Sequence, residues 1–523
     1  MIISSPLRNV EIPTSAVTPF VLRHAAELSD KPALVDGPTG RTLTYGQIAE
    51  AVARSAGGLR ERGLTKGDVL AILAPNVPEY AVAFHAAATL GGIVTTVNPT
   101  YTAEEITFQL NDSGASKLVT IPTFLETARE AIVGTAVGEI IVFGEADGAT
   151  AFSDLLAAEP VYEQAPVDPY NDLVVLPYSS GTTGLSKGVM LTHQNLVANL
   201  AQSEVVLEGE DEVVIAVLPF FHIYGMQILM NGVLAFGATA VTMPRFDLGE
   251  FLRLMEQHRV TTAYCVPPIV LALAKHPMVD QFDLAALRKV FSGAAPLSAD
   301  LAAEASARIE AEVVQGYGLT ETSPVTHATP PGGFRPGSIG VPIPHTEVRV
   351  VDLETGADCA AGEDGEIWIR GPQVMHGYLN NPEATSITID HDGWLHTGDI
   401  GHYDADHHFY IVDRLKELIK YKGFQVPPAE LEAVLLTHPA VGDAAVIPVL
   451  DEEAGEIPKA FVVLKPDMEA TADELMAHVA GHVAHFKQIR ALEFRSEIPK
   501  SASGKILRRV LRDEERAKAS GVD

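Results

Sequence analysis

The residues with the clearest chemical potential form one polar loop, residues 179–189, which we call the phosphate loop. It reads Ser-Ser-Gly-Thr-Thr-Gly-Leu-Ser-Lys-Gly-Val and directly follows the apolar run 173–178. Hydroxyls, free backbone N–H groups and one lysine at the end of a buried strand can bind phosphate oxygens. The loop does not match the Walker A pattern, because Lys187 is preceded by Ser186 and followed by Gly188. We therefore predict a phosphate site of another kind; the alternative is a polar surface turn.

Three further stretches combine glycine with reactive side chains. Residues 293–297 follow a predicted strand at 289–291, and ligands of open α/β sheets bind at the carboxyl ends of strands. In residues 315–322, Thr320 could bind a phosphate oxygen and Glu321 could hold Mg²⁺ as an oxygen ligand. In the turn His-Thr-Gly-Asp, the carboxylate of Asp399 suits the two hydroxyls of a ribose. Each stretch on its own could also be an ordinary turn.

Lysines concentrate near the end of the chain. Lys416, Lys420 and Lys422 precede Gly423, and Lys505 ends the segment 499–505. A run of lysines is usually a solvated face, so charge alone does not assign these residues a function.

Composition narrows the class of protein. A chain of 523 residues with 47% apolar residues exceeds the size of a single core, so at least two domains are expected. The net charge of −31 opposes binding to nucleic acid or to an anionic membrane surface. Cys265 and Cys359 are far apart and fit neither a disulfide framework nor a metal site. A soluble enzyme in a reducing compartment is the simplest interpretation.

Targeting signals are not evident. The first eight residues lack the basic and apolar regions of a signal peptide, so we expect a cytoplasmic protein. Residues 213–244 contain no Asp, Glu, Lys or Arg, which is long enough to suggest a membrane span. Proline, glycine and polar residues interrupt this segment, so it is predicted instead as strand, loop, helix and strand of an α/β core.

Alternating strands and helices dominate the first part of the chain. Apolar runs at 69–73, 93–97, 117–120 and 213–217 alternate with helical patterns, which indicates parallel sheets covered on both faces. After about residue 335, short strands and turns indicate a β-rich module. Residues 416–523 carry 15 basic and 18 acidic side chains, so most of the negative charge precedes them.

We predict an α/β protein in two parts. The large N-terminal domain, residues 1–412, consists of doubly wound α/β subdomains plus the small β-rich module. A hinge at 413–416 then leads to a small mobile α/β C-terminal domain, residues 417–523.

Taken together, these stretches resemble the adenylate-forming superfamily of acyl-CoA synthetases, beetle luciferases and peptide-synthetase adenylation domains. Within it the sequence is most similar to the 4-coumarate:CoA ligases, through residues 219–224, 292–297, 315–321 and 413–425. The resemblance runs from Leu43 to Arg509. It implies an ATP-dependent carboxylic acid:CoA ligase that forms an acyl-AMP and then an acyl-CoA thioester, releasing pyrophosphate and AMP. The implied ligands are ATP, Mg²⁺, coenzyme A and a small aryl or medium-chain carboxylic acid.

The resemblance also implies a role for individual residues. The ATP phosphates would be bound by Ser179, Ser180, Gly181, Thr182, Thr183, Gly184 and Lys187. The adenine site would be lined by Ala294, Gln315, Gly316 and Tyr317, and the ribose would be bound by Asp399 and Arg414. Thr320 would contact the α-phosphate, Glu321 would bind Mg²⁺, and Lys505 would bridge nucleotide and acid during adenylation. Lys416 would be the hinge, Lys420 and Gln425 would contact nucleotide, and CoA would be bound by Arg245, Lys422 and Gly423.

The acid pocket is predicted from the same resemblance. His222, which is also a candidate catalytic residue, and Tyr224 match the hydroxycinnamate ligases, and glycines opposite them would leave a slot for a planar ring. Gly225, Ile228 and the pair 322–323 depart from the usual pattern, which weakens the case for a partner of a 4-hydroxyl group. Cinnamates, benzoate-like acids and medium-chain fatty acids therefore stay open. The predicted pocket comprises His222, Tyr224, Gly225, Ile228, Ala294, Gly316, Gly318 and Val325.

Three other functions use similar sequence features. An adenylation enzyme that loads a carrier protein would share the ATP site, although no carrier domain follows Arg512. A luciferase-like oxygenase would share the fold, but nothing specifies a luciferin pocket. A binding protein without activity would not need every catalytic position filled, as it is here. The preferred acid and the oligomeric state are not defined by the sequence.

Overall fold

The computed structural model describes residues 1–179, 186–207, 209–422, 424–451, 454–501 and 504–520. Its strands, numbered along the chain, form four sheets. Two large sheets make up most of the N-terminal part, a third is the β-rich module, and the fourth belongs to the C-terminal part. The predicted α/β fold class is therefore confirmed.

The first large sheet carries the phosphate loop. Its central strands pair in parallel, and its apolar residues are buried on both faces, as expected where helices cover a parallel sheet. Its eight strands, in spatial order, are β20 (Gly377–Tyr378), β10 (Lys187–Thr192), β9 (Leu173–Ser179), β5 (Ile93–Thr96), β4 (Val69–Leu73), β6 (Ala115–Thr120), β7 (Glu139–Val142) and β8 (Thr150–Ala151).

The second large sheet carries the predicted acid pocket. Strands β11 to β15 run parallel in its centre, and antiparallel strands close both edges. Its nine strands, in spatial order, are β17 (Val341–Pro342), β16 (Val325–Ala328), β15 (Glu312–Gly318), β14 (Lys289–Ser292), β13 (Thr262–Cys265), β11 (Val213–Ala216), β12 (Thr239–Thr242), β2 (Pro32–Asp36) and β3 (Thr42–Thr44).

The β-rich module predicted after residue 335 is a five-stranded antiparallel sheet. Its last strand leads directly into the C-terminal part. The strands, in spatial order, are β1 (Ile3–Ser4), β18 (Glu347–Val351), β19 (Gly365–Arg370), β21 (Leu395–Tyr403) and β22 (Phe409–Arg414).

The C-terminal part has its own sheet and its own apolar core, centred on Ile419, Leu431 and Val462. Strand β27 pairs in parallel with β26, and the remaining pairs are antiparallel. The strands are β24 (Phe424–Val426), β23 (Ile419–Tyr421), β26 (Gly455–Leu464), β25 (Val441–Asp451) and β27 (Ala491–Phe494).

Helices begin where the sequence provides caps. Thr44 accepts the N–H of Gln47 and the Gln47 side chain accepts the N–H of Thr44, which starts α2 with a capping box. The α-helices are α1 (Val17–Val21), α2 (Tyr45–Glu61), α3 (Pro78–Thr89), α4 (Ala103–Ser113), α5 (Leu125–Ala131), α6 (Phe152–Leu155), α7 (His193–Ser203), α8 (Val233–Ala235), α9 (Leu248–Gln257), α10 (Pro267–Lys275), α11 (Ala299–Ile309), α12 (Pro382–Thr388), α13 (Pro428–Thr437), α14 (Ala472–Ala480) and α15 (Arg508–Ser520). A π-helix spans Gly225–Gly232, and 3₁₀ helices span Pro122–Phe124, Pro277–Gln281, Thr320–Thr322 and His485–Lys487.

The uncharged segment 213–244 folds as predicted, into strand β11, a loop, the π-helix with α8, and strand β12. Every residue of the π-helix is buried. Across the described parts of the chain, none of the helices has both the length and the apolar character that a membrane crossing requires.

Candidate active site

The phosphate loop joins two paired strands of the first sheet. Ser179 ends β9, Lys187 begins β10, and these two residues face each other in the antiparallel register. Both ends of the loop are therefore held at one point of the sheet. The predicted phosphate ligands Ser180, Gly181, Thr182, Thr183 and Gly184 lie outside the described residues.

Glu321 lies beside this point, in the 3₁₀ helix Thr320–Thr322. Its Oε1 accepts hydrogen bonds from the hydroxyl of Tyr378 at 2.8 Å and from Ser179 Oγ at 3.2 Å. Within the described ranges no cluster of three or more His, Cys, Asp or Glu residues could hold a metal. A single oriented carboxylate nevertheless fits Mg²⁺, which proteins often bind through one or two carboxylates together with substrate phosphates.

The predicted ribose site is compact. Asp399 on β21 pairs with Arg414 on β22, and the Arg414 Nε lies 3.1 Å from Asp399 Oδ1. Tyr317 donates its hydroxyl to Asp399 Oδ2 at 2.5 Å. Burial and the adjacent Asp399 raise the pKa of Tyr317 well above its usual range, so its hydroxyl stays a donor. Each carboxylate oxygen keeps accepting capacity for a ligand hydroxyl.

Gln315 and Ala294 shape the loop that follows β14. Gln315 Oε1 accepts the backbone N–H of Leu297 at 3.1 Å, which fixes the loop to the neighbouring strand. Ala294 has a φ of +68°, a backbone conformation that non-glycine residues rarely adopt. The side chain of Gln315 is thus used to hold the loop, and any contact with adenine would come from the backbone of this region.

Lys505 projects from the C-terminal part toward this site. Its turn depends on Gly504, whose φ is +77° and whose Cβ position would lie 3.0 Å from Val266 in the N-terminal part. Burial, and secondarily the charge of Arg414, lowers the pKa of Lys505 to about 8, while Asp399 acts in the opposite direction. Lys505 therefore lies within electrostatic reach of the predicted ribose site.

His222 lies within electrostatic reach of the same lysine. Burial, and secondarily the charge of Lys505, lowers its pKa to about 4, so the imidazole is neutral near pH 7. Its Nδ1 accepts the backbone N–H of Tyr224 at 3.2 Å, which leaves the proton on Nε2. His222 can therefore donate one hydrogen bond without adding charge.

Three aromatic rings, starting from Tyr224 of the predicted acid pocket, contact one another, and we call them the aromatic wall: Tyr224, Tyr264 and Phe291. The rings of Tyr224 and Tyr264 meet edge to face at 6.5 Å, and those of Tyr264 and Phe291 stack at 5.8 Å. The hydroxyl of Tyr224 donates to the carbonyl oxygen of Phe291 at 3.3 Å. This hydroxyl is therefore already bonded within the protein. Ile228 is buried nearby in the π-helix.

The glycines of the predicted pocket require a correction. A Cβ at Gly225 would lie 2.1 Å from the carbonyl oxygen of Pro219, and one at Gly318 would lie 2.0 Å from that of Pro324. A Cβ at Gly316 would lie 2.6 Å from the Phe291 ring. The expectation that the glycines opposite His222 leave an open slot was wrong for Gly316 and Gly318, because the protein fills each side-chain direction. The side-chain direction of Gly225, on the His222 side, is filled in the same way. Close packing requires glycine here.

Val325 is held by a residue that sequence reasoning missed. Asn199 on α7 donates its Nδ2 to the carbonyl oxygen of Val325 at 2.8 Å, and its Oδ1 accepts the Val325 N–H at 3.3 Å. Asn199 is fully buried. Tyr378, Tyr264 and Phe291 were missed in the same way, since they occur in ordinary strand segments without a recognisable motif.

Other predicted residues are not brought to this site. Lys420, Lys422 and Gln425 are exposed on the hairpin β23–β24, and within the described residues they have no contact with Glu321 or Asp399. Lys416 and Arg245 are also exposed, and Gly423 lies outside the described residues. In this arrangement Lys505 lies near Asp399 and Arg414 of the predicted ribose site, whereas Lys420 is exposed. The predicted roles of these residues stay predictions.

The fold and this arrangement of residues define an adenylate-forming enzyme. Residues 21–379 match the AMP-binding enzyme family, and residues 430–505 match the AMP-binding enzyme C-terminal domain. The chain belongs to the AMP-binding enzyme family and is an AMP-forming ligase. Its predicted place in the adenylate-forming superfamily, most similar to the 4-coumarate:CoA ligases, is confirmed by this match and by the relatives described next.

Relatives cover nearly the whole chain. 4-Coumarate–CoA ligase 3 of Oryza sativa subsp. japonica is 46% identical over 98% of this chain and 94% of its own length. The crystal structure of the anthranilate CoA ligase AuaEII with anthranoyl-AMP has a TM-score of 0.91 at 28% identity, covering 97% of this chain and 99% of that one. ATP-bound MatB from Rhodopseudomonas palustris has a TM-score of 0.86 at 30% identity, covering 96% and 99%.

Proposed function

We propose that this ligase activates a planar aromatic carboxylic acid of the cinnamate or hydroxycinnamate class and transfers it to CoA. The observation that carries the proposal is the aromatic wall, which lies beside neutral His222 and within one site with Lys505. An apolar wall of rings suits an aromatic acid, and a single neutral donor suits its carboxylate. The similarity to a 4-coumarate–CoA ligase and to an anthranilate CoA ligase supports the same class.

In the first half-reaction the acid carboxylate attacks the α-phosphate of ATP, the bond to the β-phosphate breaks, and pyrophosphate leaves as the acyl-AMP forms. Lys505 offsets the charge that develops there, and Lys187 with the phosphate loop holds the pyrophosphate end. Asp399 and Arg414 hold the ribose, and Thr320 contacts the α-phosphate. Bound Mg²⁺ would supply further positive charge at the phosphates, held through Glu321.

In the second half-reaction the thiol of CoA attacks the acyl carbon and AMP leaves. This step needs different groups around the same carbon, and Lys420, Lys422 and Gln425 are exposed on the hairpin β23–β24 of the C-terminal part. Rotation of residues 417–523 about a hinge at 413–416 would exchange Lys505 for these residues and for Gly423. Arg245, exposed on the N-terminal part, would meet CoA there.

The cellular setting follows from the chemistry of the chain. Cys265 and Cys359 are free and buried, which suits a reducing compartment. We expect the protein to act in the cytoplasm, where ATP and CoA are available. Location of the full-length protein by fractionation of its host cells is the direct measurement.

A panel of acids tests the substrate class. Cinnamate, 4-coumarate, benzoate and octanoate are each incubated with ATP, Mg²⁺ and CoA, and AMP release is measured. We expect the two phenylpropenoic acids to give a kcat/KM at least tenfold above the others. A preference for octanoate would identify a medium-chain acyl-CoA synthetase instead. Activity with a carrier protein but not with free CoA would identify a carrier-loading enzyme.

The exchange of lysines is tested by separating the half-reactions. Lys505→Ala is expected to abolish formation of the acyl-AMP, yet leave the attack of CoA on pre-made acyl-AMP largely intact. Lys420→Ala is the matched variant, with the opposite expectation. If Lys505→Ala impairs both half-reactions equally, the two arrangements of the C-terminal part are rejected.

A further inference from the structure

We propose that Tyr378 is a positioning residue that sets the metal ligand Glu321 and the phosphate-binding Lys187 relative to each other. The inference rests on the proposed roles of Glu321 and Lys187. Tyr378 itself is absent from the motifs that predicted the site. It reaches both residues with different parts of one side chain, its hydroxyl and its ring.

The hydroxyl of Tyr378 fixes the carboxylate of Glu321. It donates to Oε1 at 2.8 Å, and Ser179 Oγ donates to the same oxygen at 3.2 Å. Among the residues that the structure describes, none donates to Oε2. One oxygen is thus turned toward the protein, and the other is left for a cation. Hydrogen bonds of this kind fix the orientation of a metal ligand and its basicity.

The ring of Tyr378 holds the lysine. Lys187 Nζ lies 4.6 Å from the centre of this ring, within the distance at which a cation is attracted to an aromatic face. Across the described ranges no carboxylate lies within 4 Å of Lys187 Nζ. A ring restrains the ammonium group without neutralising it, so its full charge remains available to a phosphate.

The backbone of Tyr378 leaves its side chain little freedom. Tyr378 pairs with Val189 on β10, and its own N–H donates to Thr385 Oγ1 at 2.9 Å. The next residue, Leu379, donates its N–H to the carbonyl oxygen of Gly188 at 2.8 Å. Tyr378 is 7% exposed. The strand that carries Lys187 is therefore paired directly with the strand that carries Tyr378, the residue that orients Glu321.

Nucleotide binding measured by calorimetry, with and without metal, tests the proposal independently of turnover. Tyr378→Phe keeps the ring and removes the hydroxyl. We expect its affinity for ATP in EDTA to stay within twofold of wild type, and its affinity for ATP with Mg²⁺ to fall about tenfold, as is typical when a partner of a metal ligand is lost. Tyr378→Leu also removes the ring and is expected to weaken ATP binding in EDTA by about threefold.

Tyr403→Phe is the matched control, because Tyr403 is 3% exposed and donates its hydroxyl to the carbonyl oxygen of Cys359 at 3.2 Å, in the β-rich module. It should change neither affinity. Equal losses with and without Mg²⁺ in Tyr378→Phe, or no loss in either, overturn the proposal. If Glu321 does not bind Mg²⁺, a different result is expected. Mg²⁺ would then not change the affinity of the wild-type enzyme for ATP, and Glu321→Gln would not change the affinity measured with Mg²⁺.

Discussion

The side-chain amide of Asn199 bonds both backbone groups of Val325, accepting its N–H and donating to its carbonyl oxygen. Because Val325 belongs to the predicted acid pocket, a buried helix sets the position of one pocket wall. Asn199→Ala would leave two buried backbone groups without partners, at a cost of about 1–3 kcal/mol each.

We therefore expect Asn199→Ala to raise the KM for the acid about tenfold, with the KM for ATP within twofold of wild type. Steady-state kinetics with each substrate varied gives both values. Gln109→Ala is the control, since Gln109 also makes two buried hydrogen bonds, to Thr95 and Thr96, in the other large sheet. If Gln109→Ala raises the KM for the acid as much, the effect is general destabilisation.

Lys505 predicts a pH dependence of adenylation. The lysine must keep its proton to offset negative charge, and burial lowers its pKa from 10.5 to about 8. At low ATP we expect the rate of ATP–pyrophosphate exchange to fall as the pH rises through about 8, by about tenfold per pH unit well above it. Saturating ATP should move this fall to higher pH, because phosphate charge favours the protonated lysine.

Without ATP, docking of the C-terminal part should depend on pH in the opposite direction to the adenylation rate: it should become more favourable as the pH rises. The buried ammonium disfavours docking below pH 8, and this penalty decreases as the pH rises from about 8 to 10.5. An arginine keeps its charge throughout this pH range, so Lys505→Arg should remove the inflection from the curve of docking affinity against pH. An inflection unchanged in Lys505→Arg would assign the titration to another group.

The proposed contact of Asp399 with the ribose predicts that the enzyme distinguishes nucleotides with ribose hydroxyls from nucleotides without them. If the Asp399 carboxylate binds the ribose hydroxyls, wild-type enzyme should bind ATP at least tenfold more tightly than 2′,3′-dideoxy-ATP. The reason is that one hydrogen bond to a charged group contributes about 1.5 kcal/mol. Asp399→Asn should reduce this preference to below threefold. Binding is measured by competition with a fluorescent nucleotide. Asp404→Asn, in a turn of the same module, should keep the wild-type preference.

The ion pair between Arg508 and Glu432 predicts a stability effect confined to the C-terminal part. Arg508 Nη2 lies 2.7 Å from Glu432 Oε2, and both side chains are largely buried. Arg508→Met would leave a buried carboxylate unpaired, and we expect a loss of about 3–5 kcal/mol in the free energy of unfolding. Hydrogen exchange should show the loss in β25 and α13, with the large sheets unaffected.

The exposed pair Arg335–Asp406 provides the comparison. Arg335→Met is expected to cost less than about 1 kcal/mol. A similar loss in both variants would mean that the burial of Arg508 is not the cause.

Much of the architecture could be predicted from local sequence. Strands such as β4 and β9 are short apolar runs bounded by turns, and the fold class follows from their alternation with helices. Site loops could be predicted where several chemical groups are close in sequence, as in residues 315–322. In both cases the information is local.

Contacts between distant segments could not be predicted in this way. Tyr378 is 57 residues from Glu321, and Asn199 is 126 residues from Val325, so their hydrogen bonds exist only once the sheets have formed. The glycines show the same limit. Position 225 requires glycine because the carbonyl oxygen of Pro219 occupies the space that a side chain would need, a contact that no pattern of residue types reveals.

The pairing of Asp399 with Arg414 has a further consequence for the acyl-AMP. Asp399 lies ahead of the proposed hinge and Arg414 lies within it, so a ribose bound as proposed would tether the AMP half of the intermediate to the N-terminal part of the enzyme. An acyl-AMP hydrolyses readily once it escapes. If the AMP end is held in this way while the C-terminal part turns, the protein would retain the activated acid between the two half-reactions and so limit its loss to hydrolysis.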